Sequence, residues 1–356
     1  MKLPGLIDIH VHMREPGAPH KEDWQSGTAA ALSGGFTQVL AMPNTNTPVI
    51  SKTSLSETLS IANTKAYCDF AQFIGATPDN AALVSSIAYQ AAGLKMYLDQ
   101  TYGPLRLDDM QLWMEQLKHW PQDWPVVAHA EGRSMAAIIL LAALFDRSIH
   151  IAHVSLKEEI AIIKRAKESG LKVTCEVCPH HLFLSIADIP TIGEGRSEVR
   201  PRLATVADQQ ALWQNIDVID CIATDHAPHT LAEKDSQNPP PGFPGLETAL
   251  PLMLLAVHDG RLTVEQLVEK MYTNPKRIFK LPDQKDTWID VDLNDSWVID
   301  PTAFYSRSGW SPFVGWQVKG RVRKVVLRGQ PVFKDGQLLA APGSGGDVRS
   351  MGIYDG

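Results

Sequence analysis

At 356 residues the chain can bury a large core, as one barrel-sized domain with an appendage or as two domains. Its 44% hydrophobic and 21% charged content is that of a soluble globular protein, and a net charge of −7 argues against a nucleic-acid partner. No run approaches the ~18 apolar residues of a membrane span, so no membrane partner is expected; four cysteines (68, 175, 178, 221) are too few for a disulfide framework and point to a reducing cytoplasm.

The chain enters a strand at once, at residues 6–12, leaving no room for a signal or transit peptide. So abrupt a start suggests a segment of a longer polypeptide. Apolar 7, 9 and 11 alternate with Asp8, His10 and His12, so the two imidazoles project side by side from one face. A helix is expected over 22–33, closed by Gly34-Gly35, then a strand over 37–42 ending at Pro43-Asn44. A helix over 54–63 leads to a strand over 67–74, and Pro78-Asp79 opens a helix reaching Gln90. The fourth strand is 93–98, followed by a polar loop over 99–106 and a helix ending near His119. Strands over 126–131, 149–154 and 171–177 alternate with helices over 134–145 and 157–169. A long irregular excursion then ends in a helix over 207–215, and the eighth strand, 218–224, carries Asp225 at its end.

Eight apolar strands, each followed by a helix or a long loop, predict an α/β fold: a (β/α)8 TIM-type barrel whose site lies at the C-terminal strand ends. Helices over 247–259 and 263–272 follow, and the tail turns to alternating strands over 288–292 and 320–329 with a hairpin around Asp335-Gly336. The division read from this is a barrel over 1–283 and a small C-terminal β extension, 284–356, packed on it. The extension's basic cluster (Lys319, Arg321, Arg323, Lys324, Arg328) reads as one solvated strand face.

Polar residues collect at the strand ends: His10 and His12 from the first, Lys95 from the fourth, His129 from the fifth, His153 from the sixth and Asp225 from the eighth. In a barrel these ends surround one mouth, and N and O ligands with open positions suit Zn²⁺. An ammonium would repel a divalent ion, so Lys95 is either a surface lysine or altered. Reaction with carbon dioxide would turn it into an anionic carbamate able to bridge two ions. Two such ions would activate a shared hydroxide and polarise a carbonyl, and Asp225 could carry the proton to a leaving nitrogen.

With these residues in view the chain resembles the dihydroorotases of the amidohydrolase superfamily. The likeness is to the animal type, a domain of the multifunctional protein that also holds carbamoyl-phosphate synthetase and aspartate transcarbamylase. The resemblance is carried by Pro4-Gly5-Leu6-Ile7-Asp8-Ile9-His10-Val11-His12-Met13-Arg14-Glu15-Pro16-Gly17, Met42-Pro43-Asn44-Thr45 and Gly93-Leu94-Lys95-Met96-Tyr97. Further matches are Cys175-Glu176-Val177 running into Pro179-His180-His181-Leu182-Phe183-Leu184, then Thr224-Asp225-His226-Ala227-Pro228-His229-Thr230, and the stretch from Pro239 to Thr248.

The resemblance implies two zinc ions, one on His10, His12 and Asp225, the other on His129 and His153, bridged by carbamylated Lys95. It implies reversible cyclisation of N-carbamoyl-L-aspartate to L-dihydroorotate, with Asp225 as general acid/base. Arg14, Asn44 and His229 would hold the substrate carboxylate, since a guanidinium, an amide and an imidazole all donate to an anion. Arg200 and Pro241 would meet the ring, and Thr101 and Tyr102 would form the tip of a mobile lid hinged at Gly103. A homodimer and neighbouring enzyme domains would be the partners. The family's third zinc uses a glutamate matching Glu176 and a cysteine just before the sixth-strand histidine; Ala152 stands at that cysteine, which argues against a third ion. The competing readings are a hydantoinase or allantoinase sharing the metal ligands, and a non-catalytic scaffold domain of a larger assembly.

Overall fold

Parallel strands and crossover helices alternate along the first 222 residues of the computed structural model, which describes residues 1–351. After a short first strand, β1 (Lys2–Pro4), the barrel strands are β2 (Leu6–Val11), β3 (Phe36–Ala41), β4 (Asp69–Gln72), β5 (Ile74–Gly75), β6 (Leu94–Tyr97), β7 (Val126–His129), β8 (Ile149–Ile151), β9 (Val173–Val177) and β10 (Cys221–Ile222). β2, β3 and β4 pair in parallel, as do β5 through β10 in sequence. β4 and β5 are one strand broken at Phe73, whose N–H still bonds the Ala41 carbonyl across the ladder at 2.9 Å. That makes the eight expected strands. The ring closes through a bridge between Val11 and His226, with the His12 N–H on the His226 carbonyl at 2.7 Å.

Inside the ring, Ile7, Ile9, Leu40, Ala71, Val127 and Cys221 meet from strands all round it, and Phe279, Leu281 and Val348 close the lower end. The interior is thus a packed core, as barrels of this kind require. Below Phe279, Arg349 donates to the carbonyls of Ala91, Ala92, Phe279 and Lys280 at 2.7–3.1 Å, satisfying backbone acceptors at the barrel floor.

Three elements depart from expectation. The helix expected over 78–90 is a short helix, Ala81–Ser85, and a 3₁₀ turn, Ala88–Gln90. Asn80 holds the entry in a turn: its Oδ1 takes the Thr77 N–H while its Nδ2 donates to Ile50 and Gly75 carbonyls. The eighth strand shrinks to two residues. The N–H groups of Val218 and Ile219 close turns on Asn215 and Ile216, and that of Thr224 bonds the Asp8 carboxylate at 3.2 Å. The helix expected over 263–272 runs on through a π turn, Glu269–Thr273, into Asn274–Ile278, the wider turn accommodating Pro275, which has no N–H to give.

The second sheet is antiparallel, ordered β1, β11 (Trp288–Val298), β12 (Gln317–Leu327), β13 (Gln330–Lys334), β14 (Gln337–Leu338). Its first strand comes from the chain's own residues 2–4, outside the stretch 284–356, and residues 352–356 of that stretch lie outside the described ones. The hairpin at Asp335-Gly336 is present with both residues at positive φ, as a two-residue turn demands. A second one, at Arg328-Gly329, takes up the last two residues of the strand expected over 320–329. Arg321 and Arg323 pair with Asp295, and Arg328 pairs with Asp69. No helix among the described residues is long and apolar enough to cross a membrane.

Candidate active site

The C-terminal ends of β2 and β10 bring His10, His12 and Asp225 together at the barrel mouth, all three buried, with one ligand atom from each within 4.8 Å of the others. The hydrogen bonds behind them decide what faces inward. His12 Nδ1 lies 2.7 Å from Asn44 Oδ1, an acceptor, so Nδ1 carries the proton and Nε2 presents a lone pair. His10 Nδ1 likewise donates to Glu176 Oε1. Both Nε2 atoms then aim lone pairs at the same Asp225 oxygen, at 3.3 Å from His10 and 3.1 Å from His12. Three acceptors facing one another need a cation between them, and the donor set suits zinc.

From β7 and just beyond β8, His129 and His153 complete the floor of the mouth. Their rings stand 4.5 Å apart, Nδ1 to Nε2 at 2.8 Å, and His153 Nδ1 has no hydrogen-bond partner among the described residues. His153 also lies 5.3 Å from His10, ring to ring. Lys95, on β6, is 1% exposed and its Nζ is a buried orphan. Burial lowers that amine to about 8, so the neutral, nucleophilic form needed for carbamate formation is within reach near neutral pH.

The opposite wall is lined by cationic and donor groups. Arg14, at φ 57°, sends Nε to the Pro228 carbonyl at 3.0 Å and Nη2 to within 3.1 Å of His229 Nε2. It forms no ion pair among the described residues; the adjacent Glu15 pairs instead with Lys65 and accepts the Trp24 N–H. Burial lowers Arg14 only to about 10, leaving it charged. His229 Nδ1 accepts from Lys21 Nζ at 3.2 Å while Nε2 faces the Pro241 carbonyl at 3.1 Å, which assigns its proton to Nε2. Burial, then Arg14, Lys21 and Lys234, keep that imidazole neutral. Tyr102 lies across the mouth, its ring edge-on to His229 at 5.1 Å and its carbonyl held by Asn44 Nδ2 at 2.8 Å. Thr101, Tyr102, Arg200 and Pro241 line the same cavity as the metal-facing histidines.

Glu176 stands behind His10, away from the cavity wall: Oε1 takes His10 Nδ1–H and Oε2 takes His150 Nε2 at 3.1 Å. Several neighbours escaped the reading of the sequence. Tyr97, also lining the cavity, stands two residues after Lys95 on the same strand face, so the period-two rule would have found it. Lys21 and Trp310, whose Nε1 holds the His229 carbonyl at 2.8 Å, reach the site only through tertiary packing.

Residues 1–68 match the family model described as dihydro-orotase-like. A dihydroorotase of Pyrococcus abyssi is 35% identical over 96% of this chain and 85% of its own length. This chain belongs to the dihydroorotase family. The multifunctional protein CAD of Squalus acanthias is 55% identical over 98% of this chain, which spans 16% of that relative's length. Among solved structures, the inactive dihydroorotase-like domain of the Chaetomium thermophilum CAD-like multifunctional protein superposes with a TM-score of 0.83 at 32% identity, covering 98% of both chains.

Proposed function

We propose that this member of the dihydroorotase family is an active enzyme that interconverts N-carbamoyl-L-aspartate and L-dihydroorotate in pyrimidine biosynthesis. The observation that carries the reading is the meeting, in one cavity, of a triad able to hold a metal ion with a buried Arg14, backed by His229, that has no carboxylate partner among the described residues. A hydantoin or dihydrouracil ring has no carboxylate to engage that guanidinium, whereas dihydroorotate has one.

His10, His12 and Asp225 would hold one zinc ion and His129 and His153 the other, with Lys95 as its carbamate between them. When bound, the ions supply a Lewis acid for the ring carbonyl and lower the pKa of water. Ala152 offers no ligand and both Glu176 oxygens are engaged, so the reading is of two ions, not three. In ring opening the C–N bond breaks as the oxygen of water bonds to the carbonyl carbon. Asp225 takes the proton that water gives up and returns it to the departing nitrogen; ring closure reverses both steps. Arg14, Asn44 and the Nε2–H of His229 orient the substrate carboxylate, while Arg200 and Pro241 border the ring. Thr101 and Tyr102 exclude water when the loop after β6 is closed.

By analogy with its multifunctional relatives, this chain works in the cytoplasm as a homodimeric domain beside other pyrimidine enzymes. The scaffold alternative takes support from the likeness to an inactive domain, but here none of the six metal-facing residues is missing. The deciding experiment is ring opening of L-dihydroorotate by the zinc-loaded protein, with dihydrouracil and allantoin alongside. Turnover of dihydroorotate alone supports the proposal. Turnover of another ring keeps the metal centre and overturns the pocket assignment, and silence on all three with zinc bound overturns the enzymatic reading and moves the scaffold to the front.

A further inference from the structure

Beneath the metal-facing histidines a second buried chain of hydrogen bonds runs down through the barrel wall. His150 sits on β8 in register with Thr174 on β9, and its Nδ1 lies 2.8 Å from the Thr174 hydroxyl. Its Nε2 lies 3.1 Å from Glu176 Oε2, and Glu176 Oε1 holds His10 Nδ1. One protonation pattern satisfies every atom with a neutral imidazole: Thr174 O–H donates to Nδ1, and His150 Nε2–H donates to the carboxylate. Glu176, fully buried, is thereby held by two N–H donors on its two oxygens. It cannot turn to release His10 without leaving His150 unpaired. Phe279 packs edge-on against the His150 ring at 5.3 Å and limits its rotation.

We propose that His150 is a positioning residue of the metal centre. Acting through Glu176, it fixes the ring of His10 so that Nδ1 carries the proton and Nε2 presents its lone pair to the metal. The idea rests on the functional reading above, because it needs a metal at His10. Orienting a ligating histidine through a carboxylate is a general device, and losing such a partner costs about tenfold to a hundredfold in metal affinity. The His150 ring also borders a cavity of about 410 Å³ on the side of the barrel away from the mouth, with Val126, Ile149, Lys172 and Thr174 among its walls. That cavity has ample room for a free imidazole and gives access to the vacated position when the side chain is removed.

The test measures zinc affinity directly, by competition with a chromophoric chelator, on wild type and on His150→Gly, Thr174→Val and Glu176→Ala. His150→Gly is expected to weaken one of two zinc sites about tenfold to a hundredfold, and millimolar imidazole is expected to restore it. Thr174→Val, which leaves the rings in place, should weaken the same site by a smaller factor. Glu176→Ala should lose affinity with no response to imidazole, since the carboxylate itself is gone. Circular dichroism and the melting point identify any variant that fails to fold, in which case Thr174→Val carries the test. A folded His150→Gly with wild-type zinc affinity, or one that loses zinc and ignores imidazole, overturns the proposal. Wild type that takes up no zinc overturns the functional reading as well; wild type with zinc and turnover beside an unaffected variant overturns only this inference.

Discussion

Replacing Arg14 by methionine keeps the apolar stem and removes the guanidinium. That guanidinium touches the Pro228 carbonyl and stands beside His229, and it has no carboxylate partner among the described residues. A substrate carboxylate would supply the missing partner in a buried setting. A hydrogen bond to a charged group contributes roughly 1.5–3 kcal/mol, and 1.4 kcal/mol is about a factor of ten. Arg14→Met should therefore lower kcat/KM for L-dihydroorotate by about 10- to 150-fold per lost contact. Dihydrouracil, tested as a competitive inhibitor, should bind the variant and wild type within about twofold, because it brings no carboxylate. Arg14→Lys should fall between, restoring charge but not the planar fork. Steady-state kinetics with both ligands settle the matter. Equal losses for the two rings would refute the assignment and make Arg14 a structural residue.

Lys95→Ala is expected to lose tight binding of both ions together; two firmly held zinc ions in that variant, measured by elemental analysis after dialysis against chelator, would sink the carbamate. Glu247 gives a pH prediction. Burial pushes its carboxyl from 4.5 up to about 8, so across that window the folded chain holds a proton the unfolded chain has lost. Stability should then fall as pH rises from 4.5 to 8. Glu247→Gln should flatten that slope, and parallel melting profiles for the two proteins would contradict the argument. Arg349→Ala takes the guanidinium from four floor carbonyls, of which that of Ala91 keeps Trp124 Nε1, and should cost about 2–4 kcal/mol, read from the urea midpoint; an unchanged midpoint would show that water replaces the guanidinium freely.

Much of the barrel was legible because buried parallel strands announce themselves as apolar runs, and because the chemistry sits where each run ends. His10 and His12 could be paired from spacing alone, two residues apart on a strand. Lys95 stood out as a lone charge within an apolar strand. What stayed hidden depends on register between strands or on loops folding back. His150 is an unremarkable histidine until β8 is set against β9 and Thr174 comes level with it. Lys21 belongs to a loop whose sequence says nothing of the distant His229 it will meet. The broken helix at 81–90 was misread because Asn80, an ordinary surface type, spends its side chain on the carbonyls of Ile50 and Gly75. Arg328-Gly329 reads as the end of a strand because the alternation of the residues before it runs up to the turn.

One planar amide joins two things that are usually discussed apart. The oxygen of Asn44 anchors the His12 ring at 2.7 Å, and its nitrogen latches the Tyr102 carbonyl at 2.8 Å. The Tyr102 carbonyl and the His12 imidazole hang from opposite ends of one rigid group, so Asn44 cannot swing toward one without slackening its hold on the other. Asn44 Nδ2 carries two N–H groups, so under the proposed function one can keep the Tyr102 carbonyl while the other reaches the substrate carboxylate. In cobalt-substituted protein the visible spectrum would report the latch as well as the ligand, and Asn44→Ala would uncouple the two.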